Sequence, residues 1–186
     1  TYPTWKQLLT IRRWRHPFKN LYELRCFEVL DESGQCLITG KSSWILTRTD
    51  TKKPVRLNRN LPETLFDSAG PAVENDFAAL PLPAAPDLTR TFTARMHDLD
   101  FNRHVNNSVF MVWAMEAVPA GIAQQFRPQK LAVLFFGEAR YGEQITTATR
   151  QLKSNPAPGF VHHLSNKSGK EITRVMTTWQ PIEDTE

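Results

Sequence analysis

The sequence predicts an α+β protein in which curved antiparallel sheets form two similar halves and a long helix packs on the second. Three observations lead to this fold class. Strand-like segments fall into two groups separated by a proline-rich stretch, and only the second group contains a helical pattern of apolar residues. In addition, the strand and turn pattern of the first group recurs in the second at a nearly constant spacing.

The first group contains three predicted strands, Trp5–Trp14, Leu21–Leu30 and Gln35–Leu46. They are rich in Ile, Leu, Phe, Trp and Thr, which favour strands, and turn residues separate them. The segment Asp31-Glu32-Ser33-Gly34 suits a hairpin loop between the second and third strands.

The stretch between residues 50 and 88 predicts a linker with little regular structure, apart from one possible helical turn at Leu61–Phe66. Prolines interrupt it at six positions. We therefore expect a partial N-terminal domain over residues 1–49, a linker over 50–88 and a C-terminal domain over 89–182. The six prolines are Pro54, Pro62, Pro71, Pro81, Pro83 and Pro86.

The second group begins with a predicted strand at Arg90–Met96 and a polar loop at His97–His104. Apolar residues at helical spacing then predict a helix from about Val105 to Gln125. Four further strands are expected after it. They are Lys130–Ala139, Glu143–Leu152, Phe160–Ser165 and Glu171–Gln180.

The repeat relates the last three of these strands to the first three strands of the chain. Ser42-Ser43-Trp44 matches Thr177-Thr178-Trp179 at an offset of 135 residues, and a Ser-Gly turn precedes each tryptophan by the same distance. The first half has no counterpart to the helix or to its two flanking strands. On this logic we expect about 50 residues of a natural N-terminal segment to be absent from the chain.

Bulk properties exclude some classes of protein and favour others. No apolar run approaches the roughly 20 residues that span a bilayer, and the first residues lack the apolar core of a signal peptide. Cys26 and Cys36 are too few for a disulfide framework, which predicts two free thiols in a reducing compartment. We therefore predict a cytoplasmic protein, or a plastid protein if the source is a plant.

The net charge of +4 and the pI near 9.2 favour an acidic partner. No motif that reads DNA or RNA accompanies the charge, so a small acidic carrier protein is the better candidate than nucleic acid. The basic residues cluster early, at Arg12, Arg13, Arg15 and Lys19. The alternative to a partner-binding site is that they form a solvent-exposed basic strand edge.

The densest polar cluster lies where a predicted strand ends and the helix begins. Asp100, Asn102 and His104 recur at every second position, which in an extended loop would direct all three side chains to one side. An imidazole near a carboxylate and an amide can orient and deprotonate water. Helix N-terminal amides nearby favour a developing oxyanion. An elaborate helix cap is the competing interpretation.

Glu138 adds a second carboxylate at the end of the strand that follows the helix. A surface position at a strand end is its alternative interpretation.

His97 and Asp98 also raise the possibility of a metal site. The other histidines fall in unrelated strands, so neither a metal nor a cofactor is predicted.

These residues form a pattern that resembles a known family. Asp-x-Asp-x-Asn-x-His-Val-Asn-Asn at 98–107, followed by Trp113, Glu116 and Pro119, looks like the fatty acyl-ACP thioesterases of plants and bacteria. The family is built from two tandem hotdog domains, each a long helix wrapped by an antiparallel sheet, with the first incomplete here. Other segments also fit the family: Arg25–Phe27, Ser43-Trp44, Lys53–Leu57 and the segment from Glu138 to Gly142.

The resemblance implies hydrolysis of the thioester of a fatty acyl chain on acyl carrier protein, with Asp100, Asn102, His104 and Glu138 as catalytic residues. A homodimer is compatible with it. Plant members carry a cysteine after the catalytic glutamate, whereas this chain has Ala139, so a cysteine nucleophile there is excluded and attack by water is favoured. A covalent anhydride on one of the two carboxylates stays open. Further candidates for substrate or partner contact are Asn106, Asn107 and Trp113, together with the four basic residues above.

Two rival functions are retained. A hotdog acyl-CoA thioesterase would use coenzyme A in place of the carrier protein. A protein that binds acyl chains without turnover would need apolar surface rather than paired acid–base groups, so the polar cluster argues against it.

Overall fold

The chain divides into two compact units, Thr1–Phe77 (unit 1) and Ala78–Glu186 (unit 2). A computed structural model describes residues 2–65, 70–71, 77–153 and 157–182. Each unit carries one antiparallel sheet, and unit 2 adds two helices, so the predicted α+β class is confirmed. None of the helices in the described residues is long and apolar enough to cross a membrane.

Unit 1 contains a three-stranded sheet in the order β1-β2-β3. The strands are β1 Thr10–Phe18, β2 Tyr22–Leu30 and β3 Cys36–Ile45. The first strand lies later than predicted and includes Pro17, which lacks a backbone donor. β1 pairs only with β2 among the described strands, and an edge strand tolerates a proline. The expected helical turn is a short 3-10 segment, Glu63–Leu65, and another lies at Leu57–Arg59.

Unit 2 contains a five-stranded antiparallel sheet in the order β4-β6-β7-β8-β5. Helix α1 spans Asn107–Glu116 and helix α2 spans Ala120–Gln125. A 3-10 turn at Met96–Asp98 connects β4 to the polar loop. The strands are β4 Leu88–Thr93, β5 Phe126–Phe135, β6 Gln144–Leu152, β7 Gly159–Asn166 and β8 Glu171–Pro181.

The prediction of one continuous helix over 105–125 is wrong, because the helical conformation is interrupted between Glu116 and Ala120. Pro119 has no N–H for a helical hydrogen bond and disfavours helical geometry at Val118, so α1 ends and α2 starts with Pro119 as its N-cap. The strand predicted at 130–139 also begins earlier, at Phe126. Pro128 is accommodated there because β5 is an edge strand and its register shifts at that point.

The core of unit 2 lies between α1 and the sheet. Phe110, Trp113 and Ala114 are buried on the inner face of α1, and they pack against buried aliphatic residues of the sheet. The Trp113 ring stacks on Phe92 and meets the edge of Phe110. The sheet residues in this cluster are Ile145, Leu164, Ile172 and Val175.

The structure confirms the predicted repeat in detail. Trp44 Nε1 donates to Ser42 Oγ at 2.8 Å in β3, and Trp179 Nε1 donates to Thr177 Oγ1 at 3.0 Å in β8. The loops before these strands also match, because Asp31 and Asn166 each use one side-chain oxygen to accept the N–H groups two and four residues later. The glycines of these loops, Gly34 and Gly169, have φ values of 83° and 80°.

Candidate active site

Asp100 organises a tight turn rather than an extended loop. The turn, residues 99–105 (the Asp100 turn), closes with a 2.8 Å hydrogen bond from Asp100 N to His104 O, and Asp100 Oδ1 accepts the N–H groups of Asn102 and His104. Arg103 has a φ of 64°, in the left-handed region. The segment is therefore not extended as predicted, because the Asp100 carboxylate folds the backbone back on itself.

A buried carboxylate anchors the start of this turn. Asp98 is 3% exposed and accepts hydrogen bonds from the backbone N of Arg95 at 2.7 Å and from its guanidinium. Burial alone raises the pKa of Asp98, but the hydrogen bonds and charge of Arg95 prevail and lower it. The Asp98 carbonyl accepts the N–H of Asn106 at 2.8 Å, which ties the 3-10 turn after β4 to the start of α1.

The sequence indicates Asp98 only as a possible metal ligand, so its positioning role is a finding of the structure. The Arg95-x-x-Asp98 spacing was the available signal, because a short turn brings residues three apart together.

The structure brings His104 and Glu138 together. His104 Nε2 lies 3.4 Å from Glu138 Oε2, with the histidine side chain 24% exposed and the glutamate 62% exposed. The backbone sets this approach, because His104 forms a β-bridge with Arg140 and Val105 N donates to Ala139 O at 2.8 Å. Glu138 lies beyond the end of β5 rather than within it. An imidazole and a carboxylate that meet at a solvent-accessible edge can accept a proton from water.

The N-terminus of α1 follows the turn directly. Asn106 is the N-cap: its side-chain oxygen accepts from Ser108 N at 3.0 Å and its carbonyl accepts from Val109 N at 2.9 Å. These bonds satisfy two of the first helical N–H groups. In the described part of the chain, the N–H of Asn107 has no such partner, so it can donate to an oxyanion.

The remaining predicted residues take varied positions. The Asn102 side chain is exposed on the Asp100 turn. Trp113 is a buried core residue of unit 2. Alternation along β1 directs Arg12 to one face of its sheet and Arg13 and Arg15 to the other.

The two cysteines are free and belong to unit 1. Burial raises the pKa of Cys26, with a smaller opposing effect from Lys41, so this thiol is a poor source of thiolate. At the position after Glu138, Ala139 is buried in the core of unit 2.

Across the described ranges, no three His, Cys, Asp or Glu residues are grouped as metal ligands. An open depression of about 360 Å³ lies at one end of β6 and β7 and contains none of the four predicted catalytic residues. Its lining is polar, which does not suit an alkyl chain. The lining residues are Gly142, Glu143, Gln144, Asn166 and Lys167.

Comparison with known families matches both parts of the chain. Residues 83–181 match the C-terminal domain of acyl-ACP thioesterases, and residues 1–65 match the N-terminal domain of the same enzymes.

Two curated plant proteins illustrate the similarity. An acyl-[acyl-carrier-protein] hydrolase of Cuphea viscosissima is 27% identical over 190 residues, covering 97% of this chain and 46% of the relative. A dodecanoyl-[acyl-carrier-protein] hydrolase of Umbellularia californica is 28% identical over 193 residues, covering 97% of this chain and 50% of the relative. Both are named as chloroplastic. This chain thus spans about half the length of the curated relatives that it matches.

Solved structures show the same fold. The 12:0-ACP thioesterase from Umbellularia californica superimposes with a TM-score of 0.85 and 26% identity, covering 97% of this chain and 69% of that one. An acyl-ACP thioesterase from Bacteroides thetaiotaomicron gives a TM-score of 0.78 at 19% identity, covering 94% and 69%. The hotdog architecture is therefore confirmed.

Proposed function

Because the chain belongs to the acyl-ACP thioesterase family, we propose that it hydrolyses the thioester of fatty acyl-[acyl carrier protein], which releases a free fatty acid and ends chain elongation. The observation that carries this proposal is the 3.4 Å approach of His104 Nε2 to Glu138 Oε2, next to the N-terminus of α1. Water is the second substrate, and in this proposal the His104–Glu138 pair activates it without a cofactor.

In the proposed reaction the His104–Glu138 pair takes a proton as the water oxygen bonds to the thioester carbon. The carbonyl oxygen becomes an oxyanion, and the N–H of Asn107 donates to it. The carbon–sulfur bond then breaks, and the leaving thiolate takes the proton from the same pair. Asn102, exposed beside His104, positions the water or the carbonyl through its amide.

Asp100 acts as an orienting group in this scheme. Its Oδ1 atom already accepts two backbone N–H groups, and those hydrogen bonds fix the position of His104. A carboxylate stabilised in this way is a weaker nucleophile, which favours direct attack by water over an anhydride on Asp100.

The expected partner is an acyl carrier protein, and the expected compartment is one that builds fatty acids. This is the cytoplasm of a bacterium or the plastid of a plant, and the plant relatives are named as chloroplastic.

Matched substrates test the proposal against its nearest rival. The same acyl chain is presented on acyl carrier protein and on coenzyme A, and free fatty acid is measured over time. We expect kcat/KM to be at least tenfold higher for the carrier protein, a difference of about 1.4 kcal/mol. Higher kcat/KM for coenzyme A would support the acyl-CoA thioesterase instead. Binding without release from either substrate would support the acyl-binding protein.

Substitutions test the assigned residues. His104→Ala and Glu138→Gln should each reduce kcat by about 100-fold or more, the usual contribution of general acid–base groups. Glu28→Gln, which removes a carboxylate from β2 of unit 1, is the matched control and should keep the wild-type rate. Full activity in both site variants would show the assignment to be wrong.

A further inference from the structure

The surface around the Asp100 turn exposes several large apolar side chains. Phe101 is 94% exposed, although it lies between two of the proposed catalytic residues, and Met96 and Tyr141 are also exposed. Backbone pairing places them near one another, because Gly142 N donates to Ala94 O at 2.9 Å and His104 forms a bridge with Arg140. A group of exposed apolar residues at one place marks an interaction site more often than a single one does.

Positive charge accompanies these apolar residues. Arg103 and Arg140 are both exposed, and neither has an ion-pair partner within the residues that the structure describes. Three of the nearby acidic groups are already engaged: Asp98 binds Arg95, Asp100 accepts backbone N–H groups and Glu138 faces His104. A fourth, Glu143, donates its N–H to Arg140 O at 3.1 Å, but its carboxylate forms no ion pair with either arginine in the described residues. The two arginines are therefore available to a partner.

We propose that Met96, Phe101, Arg103, Arg140 and Tyr141 form the docking surface for the acidic acyl carrier protein, which we term the turn surface. This inference rests on the proposed function. An apolar centre with a basic rim complements an acidic protein, and charged rims of this kind raise the rate of encounter.

The location of the reaction supports the turn surface over the basic stretch of β1. The thioester has to reach His104 and Glu138, and the turn surface lies next to both, because Arg103 adjoins His104 in the chain and Arg140 forms a bridge with His104. In β1, by contrast, Arg12 and Arg13 point to opposite faces of the sheet, and Arg15 is bound to the buried Glu23 at 3.0 Å. Those side chains do not form a single patch.

A binding experiment with matched charge reversals tests the inference. The probe is acyl carrier protein whose acyl chain is attached through an amide in place of the thioester, so that hydrolysis does not interfere. Its Kd is measured for the wild type, for Arg103→Glu with Arg140→Glu, and for the control pair Arg12→Glu with Arg13→Glu. Each pair reverses two charges, and the backbone of Arg103 is as strained with glutamate as with arginine.

We expect the Kd to rise about tenfold or more for the turn-surface pair and less than threefold for the β1 pair at low ionic strength. The difference should shrink at high salt, because exposed charges are screened. Phe101→Ser should raise the Kd about fivefold without changing the circular dichroism spectrum, since the ring is almost wholly exposed.

Three results would overturn the inference: no binding by the wild type, a larger effect of the β1 pair, or an unchanged Kd in the turn-surface variants. If those variants instead convert a dimer into a monomer in sedimentation, with carrier binding intact, the surface joins two copies of the chain. Different results would refute the proposed function and the docking surface. If carrier protein binds through the turn surface but no fatty acid is released, only the proposed hydrolysis is refuted. If the turn-surface variants, the β1 pair and the wild type have equal kcat/KM on acyl carrier protein, only the docking surface is refuted.

Discussion

The sheets of unit 1 and unit 2 share their local design but differ in how they are buried. Both use the same loop with a left-handed glycine and the same tryptophan hydrogen bond. However, Trp44 is 46% exposed and lies under the guanidinium of Arg25, whereas Trp179 is 4% exposed and packs with Phe160 and Val118. Loop and strand register are thus encoded locally, while burial depends on the helical segment that covers the sheet.

Corresponding central positions show the same contrast. Phe27 pairs with Gly40 in unit 1, and His162 pairs with Val175 in unit 2, each 135 residues further on. Phe27 is exposed, whereas His162 is fully buried between the hydroxyls of Thr149 and Thr177 at 2.9 and 3.3 Å. The covered sheet therefore tolerates polar side chains, provided that they hydrogen-bond one another.

Truncation of the two matched tryptophans should give the largest difference. We expect Trp179→Ala to reduce the free energy of unfolding by about 3–5 kcal/mol, because it leaves a cavity in the core. Trp44→Ala should cost less than about 1 kcal/mol. Urea unfolding of each variant measures both values, and equal losses would show that burial does not distinguish the sheets.

Acid should destabilise the buried histidine site. Burial lowers the pKa of His162 to about 4, whereas a histidine in an unfolded chain titrates near 6.5. The folded state therefore keeps His162 neutral, its contribution is complete above about pH 6.5, and it is lost as the pH falls towards 4.

The expected loss from His162 between pH 7 and pH 4.5 is roughly 2–3 kcal/mol. His162→Phe, which installs the residue type of the matching position in unit 1, should remove this part of the pH dependence. Parallel curves of unfolding free energy against pH for the wild type and the variant would contradict the assignment.

The buried carboxylates of the two units provide a third contrast. Glu23 binds Arg15 and Arg25 in unit 1, and Asp98 binds Arg95 in unit 2. Asp98→Asn and Glu23→Gln should each cost about 2 kcal/mol at pH 7, the scale of hydrogen bonds to a charged group. Only Asp98→Asn should also lower kcat on acyl carrier protein, because Asp98 anchors the Asp100 turn.

The pH dependence of the Asp98 variant provides an internal check. Since the folded-state pKa of Asp98 is lowered, its stabilising effect is present above the ordinary value of 3.8 and is lost as the pH falls below it. The stability gap between the wild type and Asp98→Asn should therefore close in strong acid. A similar fall in kcat for both variants at pH 7 would argue against a specific positioning role.

Substitution of the two matched glycines should give the smallest loss of stability, and the two losses should be nearly equal. Alanine at Gly34 or Gly169 has to adopt a left-handed φ, which costs about 1 kcal/mol in each loop. Neither a cavity nor a steric clash adds to this cost, because a Cβ at either position meets no atom within 4 Å. Thermal unfolding measures the two costs, and values that differ by more than about 1 kcal/mol would show that the loops are not equivalent.

The residues alone predicted the presence of the strands and the repeat, although the bounds of β1 and β5 differ from the prediction. Strand residues and turn residues alternate clearly, and the repeated Ser-Gly and tryptophan spacing reflects loops that fold independently of the rest of the chain. The family resemblance supplied the link from the polar loop to Glu138, which lies 34 residues further along the chain.

Conformations that depend on one side chain bonding to the backbone were harder to predict. Alternating polar residues are compatible with an extended segment, so the spacing alone did not reveal that Asp100 closes a turn. Asp98 was overlooked as an anchor because its burial depends on β4 and α1 meeting. Pro119 was the only sequence signal for the interruption between α1 and α2. The apolar residues at helical spacing on both sides of it favoured one continuous helix instead.

The most direct test of the central claim is a double-mutant cycle on kcat for acyl carrier protein substrate. Under the proposed mechanism His104 and Glu138 form one proton-transfer pair, so we predict that His104→Ala and Glu138→Gln each lower kcat by about 100-fold or more and that the double variant is little worse than either. Independent, multiplying effects would contradict a shared role, and unchanged kcat in both single variants would contradict the proposed active site itself.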